Sequence, residues 1–310
     1  MDGQRRARHA PADRPGRRRA DVRPPGPRPA RRAGRAVKRA TLLVLLALGL
    51  VVAAESRAAD PAVRIAAHRG GAGLWPEASL LAFRQALALG VDCLEFDLHM
   101  TRDGELVVIH DATLDRTTTA RGAVRDLTLG QLAPARIRAR DGSVTDEPVP
   151  TLAAVLDLAA PAAVGLLPEI KVGPDGTPYP GIEAKVLALL RARGVLGRAV
   201  VQAFEGSTLR RLLALEPTAR TMLLVGRARL QRERAAPREA VRWAQEVGAT
   251  DLGMDHRLVD AAVVAAARTA GIRISVFTVN EEQDLRRMLE LRVDAVMTDR
   301  PDLAKRLFGR

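Results

Sequence analysis

The segment that decides the fold is CLEFDLHM, residues 93–100, in which polar and apolar side chains alternate. Successive side chains of a β-strand point to opposite faces, so Glu95, Asp97 and His99 share one face. The apolar side chains between them then face helices that cover the strand. The segment therefore predicts a strand that packs on one side and presents charged groups to a site on the other.

A second apolar run, Leu106–Ile109, follows after only a short turn, TRDG at residues 101–104. A parallel crossover needs a dozen or more residues, so these two strands must form an antiparallel hairpin. A hairpin with this spacing brings His110 back beside Glu95 and Asp97.

Over residues 59–310 as a whole, short apolar runs alternate with amphipathic stretches whose apolar residues recur every three or four positions. The predicted strands are Val63–Ala67, Cys93–Leu98, Val164–Ile170, Ala199–Ala203, Arg220–Leu224, Asp251–Gly253, Arg273–Phe277 and Ala295–Met297. The predicted helices are Ser79–Leu89, Leu152–Ala159, Ile182–Arg193, Thr208–Leu215, Arg238–Val247, Val259–Ala270, Glu281–Leu291 and Asp302–Leu307.

Alternating strands and helices imply a parallel sheet, and eight of each in a chain of this size favour an α/β fold of the (β/α)8 TIM-barrel type in one domain, residues 59–310. A doubly wound open sheet is the alternative fold. No Gly-x-Gly-x-x-Gly motif follows the first strand, which argues against a dinucleotide site. The single cysteine, Cys93, excludes a disulfide framework and a cysteine-rich metal site, and it fits core packing.

The net charge of +13 suggests nucleic-acid binding until it is located in the chain. Residues 1–58 hold 15 of the 49 Lys and Arg and four of the 36 Asp and Glu, which leaves residues 59–310 nearly neutral with 34 and 32. Aromatic residues make up 3% of the chain, too few for a protein that stacks bases on rings. We therefore expect no nucleic-acid partner.

The first 58 residues are typical of an export leader behind a basic extension. Residues 1–36 are rich in Arg, Pro, Ala and Gly and are expected to be disordered. Residues 37–58 contain Lys38-Arg39, an apolar run and small residues before a cut after Ala58, the pattern of a signal peptide. We expect a periplasmic or secreted protein without a stable membrane span in its mature form. An uncleaved anchor is the alternative, and translation from Val37 would remove residues 1–36.

One set of polar and charged residues falls at the carboxyl ends of predicted strands, where TIM-barrel enzymes place their active sites. This set is His68, Arg69, Glu95, Asp97, His99, Glu169, Lys171 and Gln202. Three carboxylates brought together repel one another unless a cation lies among them, and oxygen ligands favour Mg²⁺ or Ca²⁺ over zinc. Arg69 and Lys171 suit an anionic substrate, and histidines suit proton transfer near neutral pH.

Each of these residues alone also has a purely structural interpretation. A single Glu-x-Asp pair is more often a solvated or ion-paired face, and His68 alone could be a half-buried structural histidine. His99 is expected to continue the polar face above the barrel, and Trp75 fits either a substrate rim or a loop anchor. The functional interpretation depends on the whole set, which together points to phosphoryl chemistry.

A series of motifs in the same order resembles the glycerophosphodiester phosphodiesterase family over roughly residues 65–308. The motifs that carry the resemblance are His68-Arg69-Gly70, Pro76-Glu77, Gly90–Asp97, Thr101–Gly104, His110-Asp111, Arg116–Thr118, Pro150–Leu152, Glu169–Lys171, Thr278–Asn280 and Thr298-Asp299-x-Pro301. Three positions depart from the family pattern. Ala78 stands where Asn is frequent, Ala203 where Ser is frequent, and Phe277 where Trp is usual.

The resemblance implies a (β/α)8 barrel and one divalent metal ion, Ca²⁺ or Mg²⁺. It implies hydrolysis of a small-molecule glycerophosphodiester to glycerol 3-phosphate and an alcohol. Carried over by position, His68 and His110 form the acid–base pair. By the same carry-over, Glu95, Asp97 and Glu169 hold the metal, and Arg69 and Lys171 contact the phosphate. The alternatives are a secreted lysophospholipase D or sphingomyelinase D type of lipid phosphodiesterase, and a phosphodiester-binding module without turnover.

Overall fold

The structure is a computed structural model that describes residues 62–310, together with the single residue Gly26. The basic extension (residues 1–36) and the signal peptide (residues 37–58) predicted from the sequence otherwise lie outside the described residues. Among the described helices, none combines the length and the apolar composition needed to cross a bilayer.

Parallel strands close into a barrel, which confirms the (β/α)8 fold and excludes the open doubly wound sheet. The strands are β1 (Arg64–Ala67), β2 (Cys93–Met100), β3 (Leu106–Val108), β4 (Arg136–Arg138), β5 (Val144–Pro148), β6 (Gly165–Ile170), β7 (Val200–Ala203), β8 (Arg220–Val225), β9 (Asp251–Asp255), β10 (Arg273–Phe277) and β11 (Ala295–Thr298). The barrel order is β1-β2-β6-β7-β8-β9-β10-β11, and closure follows because β1 pairs in parallel with both β2 and β11.

Helices cover the outside of the barrel between its strands. The α-helices are α1 (Leu80–Leu89), α2 (Leu129–Leu132), α3 (Leu152–Ala159), α4 (Ile182–Ala192), α5 (Gly206–Leu215), α6 (Arg227–Glu233), α7 (Glu239–Val247), α8 (Ala261–Thr269), α9 (Glu282–Leu291) and α10 (Pro301–Leu307). All eight predicted strands and all eight predicted helices are present, with ends that differ by at most two residues. The short elements α2, α6, β4 and β5 were not predicted.

The first helix shows how local sequence sets these boundaries. The Ser79 hydroxyl caps α1 by accepting a hydrogen bond from the Ala82 backbone N–H at 3.0 Å. Gly90 ends the helix in the left-handed conformation, with φ of 74°, which glycine adopts without steric cost. On the buried face of α1, Phe83 packs edge-on against Phe96 of β2, with ring centroids 5.8 Å apart. The apolar face of β2 therefore meets the helices, as its alternating sequence predicts.

The predicted hairpin forms between β2 and β3. The strands pair antiparallel with Leu98 opposite Val108 and Met100 opposite Leu106. The Thr101 hydroxyl donates to the Asp103 carboxylate at 2.6 Å, and Gly104 adopts φ of 83° in the turn. This register brings the chain back to the barrel mouth at His110.

The two inner layers of the barrel have different chemistry. Below the mouth the interior is filled by apolar side chains from six of the eight barrel strands. These are Ala66, Cys93, Leu167, Val200, Met222, Leu224 and Met297. Burial raises the pKa of the Cys93 thiol to about 11, so it remains a neutral packing group. The charged groups lie one layer higher, directly above this apolar layer.

We expect Asp92→Ala to lower the free energy of unfolding by about 1–3 kcal/mol, because this carboxylate joins three segments at the bottom of the barrel. It accepts hydrogen bonds from the Ile65 N–H at 2.8 Å and from both Arg310 guanidinium NH2 groups at 2.6 and 2.7 Å. Asp157→Ala is the control, since its carboxylate is exposed and pairs with Arg193 alone among the described residues. Denaturant unfolding should show a loss below about 0.5 kcal/mol for the control. Equal losses would contradict this role of Asp92.

Candidate active site

Three carboxylates meet at the carboxyl ends of β2 and β6. Asp97 lies opposite Glu169 in the parallel register, and Glu95 lies two residues earlier on the same face of β2. Each residue offers an oxygen, and these three oxygens lie within 4.8 Å of one another. All three side chains are buried. The structure therefore brings together the acidic group expected from the sequence.

Mutual repulsion and burial show in the acidities of this group. Burial, together with the charge of Asp97, raises the pKa of Glu95 to about 7 and that of Glu169 to about 8. Burial opposes ionisation of Asp97 as well, but the charges of Lys171, His110 and Arg69 hold its pKa below the ordinary value. The pKa values of Glu95 and Glu169 therefore lie close to neutral pH. The charged forms of both groups need additional positive charge nearby to be stable at that pH.

The group fits a divalent cation of the Mg²⁺ or Ca²⁺ type, because it offers only oxygen ligands. Neither oxygen of Asp97 accepts a well-aligned hydrogen bond from the described residues, although both are buried. The oxygens of Glu95 are oriented from behind by the Gln202 amide and the Arg69 backbone N–H, each at 2.9 Å. Outer contacts of this kind hold ligand carboxylates in place for a cation.

The two predicted phosphate ligands lie beside the acidic group. Lys171 Nζ lies 3.0 Å from Asp97 Oδ1 and 2.5 Å from Glu169 Oε1, and these carboxylates raise its pKa although burial opposes this. Arg69 Nε lies 3.6 Å from Asp97 Oδ2. Both cations therefore pair with the carboxylates here. Their contact with a phosphate stays a prediction.

Arg69 has a backbone conformation that L-residues rarely adopt. Its φ is 52°, in the left-handed region, and Gly70 and Gly71 follow with φ of 80° and 95°. This turn aims the Arg69 N–H at Glu95 while its side chain reaches Asp97 and Glu77. Strain of this kind is retained where surrounding contacts require it, which is common at functional sites.

His68, the first predicted proton-transfer residue, follows β1 and is held by a carboxylate. Its Nδ1–H donates to Asp299 Oδ1 at 2.6 Å, and Asn280 donates to the other Asp299 oxygen at 2.7 Å. Nε2 is left facing the acidic group, 4.0 Å from Glu95. Burial lowers the pKa of His68, but Glu95 and Asp299 outweigh it and the net shift is upward.

His110, the second, is held in the same way from the opposite side. Its Nδ1–H donates to Asp111 Oδ1 at 2.6 Å. Arg116 binds Asp111 through Nε at 2.6 Å and also binds Glu77. Burial is the main cause of a lowered pKa for His110, against the raising effect of Asp97. The two histidines thus share one arrangement, a carboxylate on Nδ1, and both line the cavity between these groups.

The cavity between these groups has a volume of about 190 Å³, and we call it the inner cavity. Its polar wall contains His68, His110, Glu95, Glu169 and Lys171 together with Arg69 and Gln202. Its apolar wall contains Phe204, Leu224, Phe277 and Met297. The arrangement suits a small ligand with an anionic group and a short carbon chain.

Comparison with known proteins decides the family. Residues 68–303 match the sequence profile described as the Glycerophosphoryl diester phosphodiesterase family. The chain belongs to this family. It is 33% identical over 252 residues to the glycerophosphodiester phosphodiesterase of Bacillus subtilis (strain 168), which covers 76% of this chain and 83% of that protein.

Two further relatives of the glycerophosphoryl diester phosphodiesterase family agree with this assignment. The glycerophosphodiester phosphodiesterase of Caldanaerobacter subterraneus is 30% identical over 239 residues, covering 77% of this chain and 94% of its own. The crystal structure of a glycerophosphodiester phosphodiesterase from Agrobacterium tumefaciens superimposes with a TM-score of 0.65 at 27% identity, covering 78% of this chain and 98% of its own. The protein is therefore an enzyme of the family.

Departures from the family pattern leave the acidic group and its histidines untouched. Ala78, which stands where the family often has Asn, still adopts the left-handed conformation with φ of 58°, and its N–H donates to the Arg69 carbonyl at 2.9 Å. Ala203 is buried at the end of β7. Phe277 packs edge-on against Phe204, with centroids 5.9 Å apart, and lines the inner cavity.

Three supporting residues were not assigned roles from the sequence. Asp299 and Asn280 belong to two of the family motifs, yet only the folded structure shows that they orient His68. Gln202 was noticed at a strand end, and it donates to Glu95. The signal for all three was their position at the carboxyl ends of strands β7, β10 and β11.

His99 continues the polar face of β2 above the barrel, as expected, but it is buried. Its Nε2–H donates to the His110 carbonyl at 3.1 Å, so Nδ1 accepts from the Tyr179 hydroxyl at 2.8 Å. Burial lowers its pKa to about 4, which keeps the ring neutral. Within the family fold, His99 supports the backbone at His110 from outside the inner cavity.

Proposed function

We propose that the enzyme hydrolyses glycerophosphodiesters to glycerol 3-phosphate and an alcohol. The observation that carries the proposal is the inner cavity, which two carboxylate-anchored histidines line together with Glu95 and Glu169 of the buried acidic group. The relatives named as glycerophosphodiester phosphodiesterases support the same substrate class.

We assign the binding of one divalent cation, Ca²⁺ or Mg²⁺, to Glu95, Asp97 and Glu169. When bound, such a cation supplies Lewis-acid stabilisation of the charge that develops on phosphate oxygens and lowers the pKa of a nearby hydroxyl. The apolar floor of the barrel excludes water from below, which strengthens every charge interaction in the cavity.

The remaining steps fall to side chains of this chain. Arg69 and Lys171 lie beside the acidic group and hold the phosphate, for which the planar guanidinium of Arg69 offers paired donors. One of His68 and His110 removes a proton, through Nε2, from the hydroxyl that attacks phosphorus. The other histidine protonates the alkoxide of the departing alcohol. Asp299 and Asp111 hold each ring in the tautomer that leaves Nε2 available.

The purified protein should release glycerol 3-phosphate from glycerophosphocholine when Ca²⁺ or Mg²⁺ is present. EDTA should abolish the release, because it removes the cation that stabilises the charge developing on the phosphate oxygens, and excess metal should restore it. Enzymatic quantification of glycerol 3-phosphate gives the rate, and circular dichroism shows that the chelated protein stays folded. Choline release from lysophosphatidylcholine in place of glycerophosphocholine would favour the lipid phosphodiesterase alternative. Absence of turnover in folded, metal-loaded protein would overturn the proposal.

A further inference from the structure

A second cavity of about 350 Å³ adjoins the inner cavity, and we call it the outer cavity. Arg69 lines both, so the two meet at the residue assigned to the scissile phosphate. A phosphodiester held at Arg69 with its glycerol portion in the inner cavity therefore directs its alcohol portion into the outer one.

The outer wall of this cavity comes from the insertion between β3 and α3. Thr117, Arg138 and Arg140 contribute their side chains from this insertion, and Trp75 contributes a ring from the loop after β1. Arg138 is the last residue of β4, whose antiparallel partner is β5. This ribbon is an addition to the barrel and carries none of the metal-binding or proton-transfer residues.

The lining of the outer cavity has more positive than negative charge, with four arginines against two carboxylates. Glu77 is bound by Arg116 at 2.8 and 2.9 Å and by Arg69 at 3.3 Å. Asp299 is bound to His68 and Asn280. Both carboxylates are thus already neutralised or saturated.

Two guanidinium groups pair with no carboxylate of residues 62–310. Within the same residues, Arg138 donates only to backbone carbonyls, those of Thr118 at 3.0 Å and Gly142 at 3.5 Å. Arg140 makes no hydrogen bond or ion pair with any residue in the described part of the chain and is exposed. Arginine is the side chain best suited to bind phosphate oxygens in a fork.

Thr117 lies in the lining beside these arginines. Thr117 is 6% exposed, and its hydroxyl is buried without a hydrogen bond to any of residues 62–310. Because that oxygen has almost no accessible surface, Thr117 shapes the wall of the cavity through its other atoms.

We propose that the outer cavity binds a second phosphate group, so that the preferred substrates are glycerophosphodiesters whose alcohol portion is itself phosphorylated. This inference rests on the proposed function and specifies its substrate class. Arg138 and Arg140 bind the second phosphate.

A cationic alcohol such as choline fits this cavity less well. Binding of a quaternary ammonium group requires aromatic faces or free carboxylates. Trp75 is the one aromatic residue among those that line the outer cavity, and arginines share that lining with it. These guanidinium groups repel a positively charged ligand and attract a negatively charged one.

The reaction is the same hydrolysis for either kind of alcohol. Water adds across the bond between phosphorus and the alcohol oxygen. Its hydroxyl goes to phosphorus and its proton to the leaving oxygen. The second phosphate stays on the alcohol and acts only through binding.

Glycerophosphoinositol and glycerophosphoinositol 4-phosphate are matched probes, because they differ by one phosphate monoester. Using the full protein with saturating Mg²⁺ or Ca²⁺, we expect kcat/KM for the 4-phosphate to exceed that for the parent by about tenfold, through charge-assisted hydrogen bonds in a partly exposed cavity. Raising the salt concentration should reduce this ratio, because exposed charges are screened.

Arg140→Gln tests the assignment without disturbing the fold, because Arg140 makes no contact that the fold needs. We expect this variant to reduce the ratio of the two kcat/KM values to about two, and Arg138→Gln to act in the same direction. Arg121→Gln is the matched control, since Arg121 lies in the same insertion, is 89% exposed and does not line the outer cavity. It should keep the wild-type ratio.

The outcomes separate the two proposals. Equal kcat/KM for both probes in the wild type, or a ratio unchanged by Arg140→Gln, would overturn this inference while the hydrolase assignment stands. Absence of glycerol 3-phosphate release from both probes and from glycerophosphocholine would overturn both proposals. A ratio that falls in the Arg140 variant and holds in the Arg121 variant supports the second phosphate site.

Discussion

Glu169→Gln is expected to abolish binding of the divalent cation and to lower turnover at least ~10³-fold, since the cation contributes several kcal/mol of transition-state stabilisation. The substitution preserves shape and removes one charge from a group whose three oxygens lie within 4.8 Å. Lys171 keeps its partner Asp97 at 3.0 Å, so no buried ammonium group is left alone. Isothermal titration with Ca²⁺ and Mg²⁺ measures binding separately from activity.

Glu183→Gln is the matched control for this experiment. Glu183 is also a buried carboxylate, 3% exposed, but it lies on α4 and accepts a hydrogen bond from Arg211 at 2.7 Å. It should keep wild-type cation affinity and turnover. Wild-type affinity in the Glu169 variant would contradict its role as a ligand.

His110→Ala is expected to lower turnover by about 10²–10⁴-fold, the contribution typical of general acid–base catalysis. The folded state should persist because Asp111 retains two hydrogen bonds from Arg116, at 2.6 and 3.0 Å, when the imidazole is lost. Turnover of glycerophosphocholine and cation affinity should be measured together. Cation affinity should change little, since His110 is not among the assigned ligands.

His256→Ala provides the comparison for a histidine outside the site. His256 follows β9 and lies near Asp284 and Arg287, away from both cavities. Its turnover should stay within about twofold of the wild type. A His110→Ala enzyme with a near-normal rate would remove that residue from the proton-transfer pair.

Much of this site follows from the alternation and spacing in one hairpin. Glu95 and Asp97 share a face of β2 because strand side chains alternate, and a four-residue turn leaves no route but an antiparallel return to His110. Parallel strands in adjacent positions bring Glu169 to the same edge. The first two relations join residues that are close in sequence, and the third follows from the order of the barrel strands. Alternation of residue types and the spacing of the predicted strands are therefore enough to predict all three.

Contacts between distant segments did not follow from the sequence. Asp299 lies 231 residues from His68, and no local pattern indicates that their side chains meet. The β4–β5 ribbon was missed because β5 is a half-exposed, charged strand without an apolar face. Arg69 was expected at the phosphate. Its left-handed backbone conformation depends on the packed loop after β1, so the residue type does not indicate it.

The insertion between β3 and α3 stands apart from the barrel strands that carry the carboxylates and most of the proton-transfer machinery. Natural variation in the β4–β5 ribbon, residues 136–148, therefore alters what the outer cavity accepts, while the carboxylates, the histidines and the contact between Arg116 and Asp111 stay the same. After gene duplication, changes in this stretch can give one copy of the enzyme a different substrate preference, while the other copy keeps the ancestral preference. Divergence within such enzymes is then expected to concentrate there.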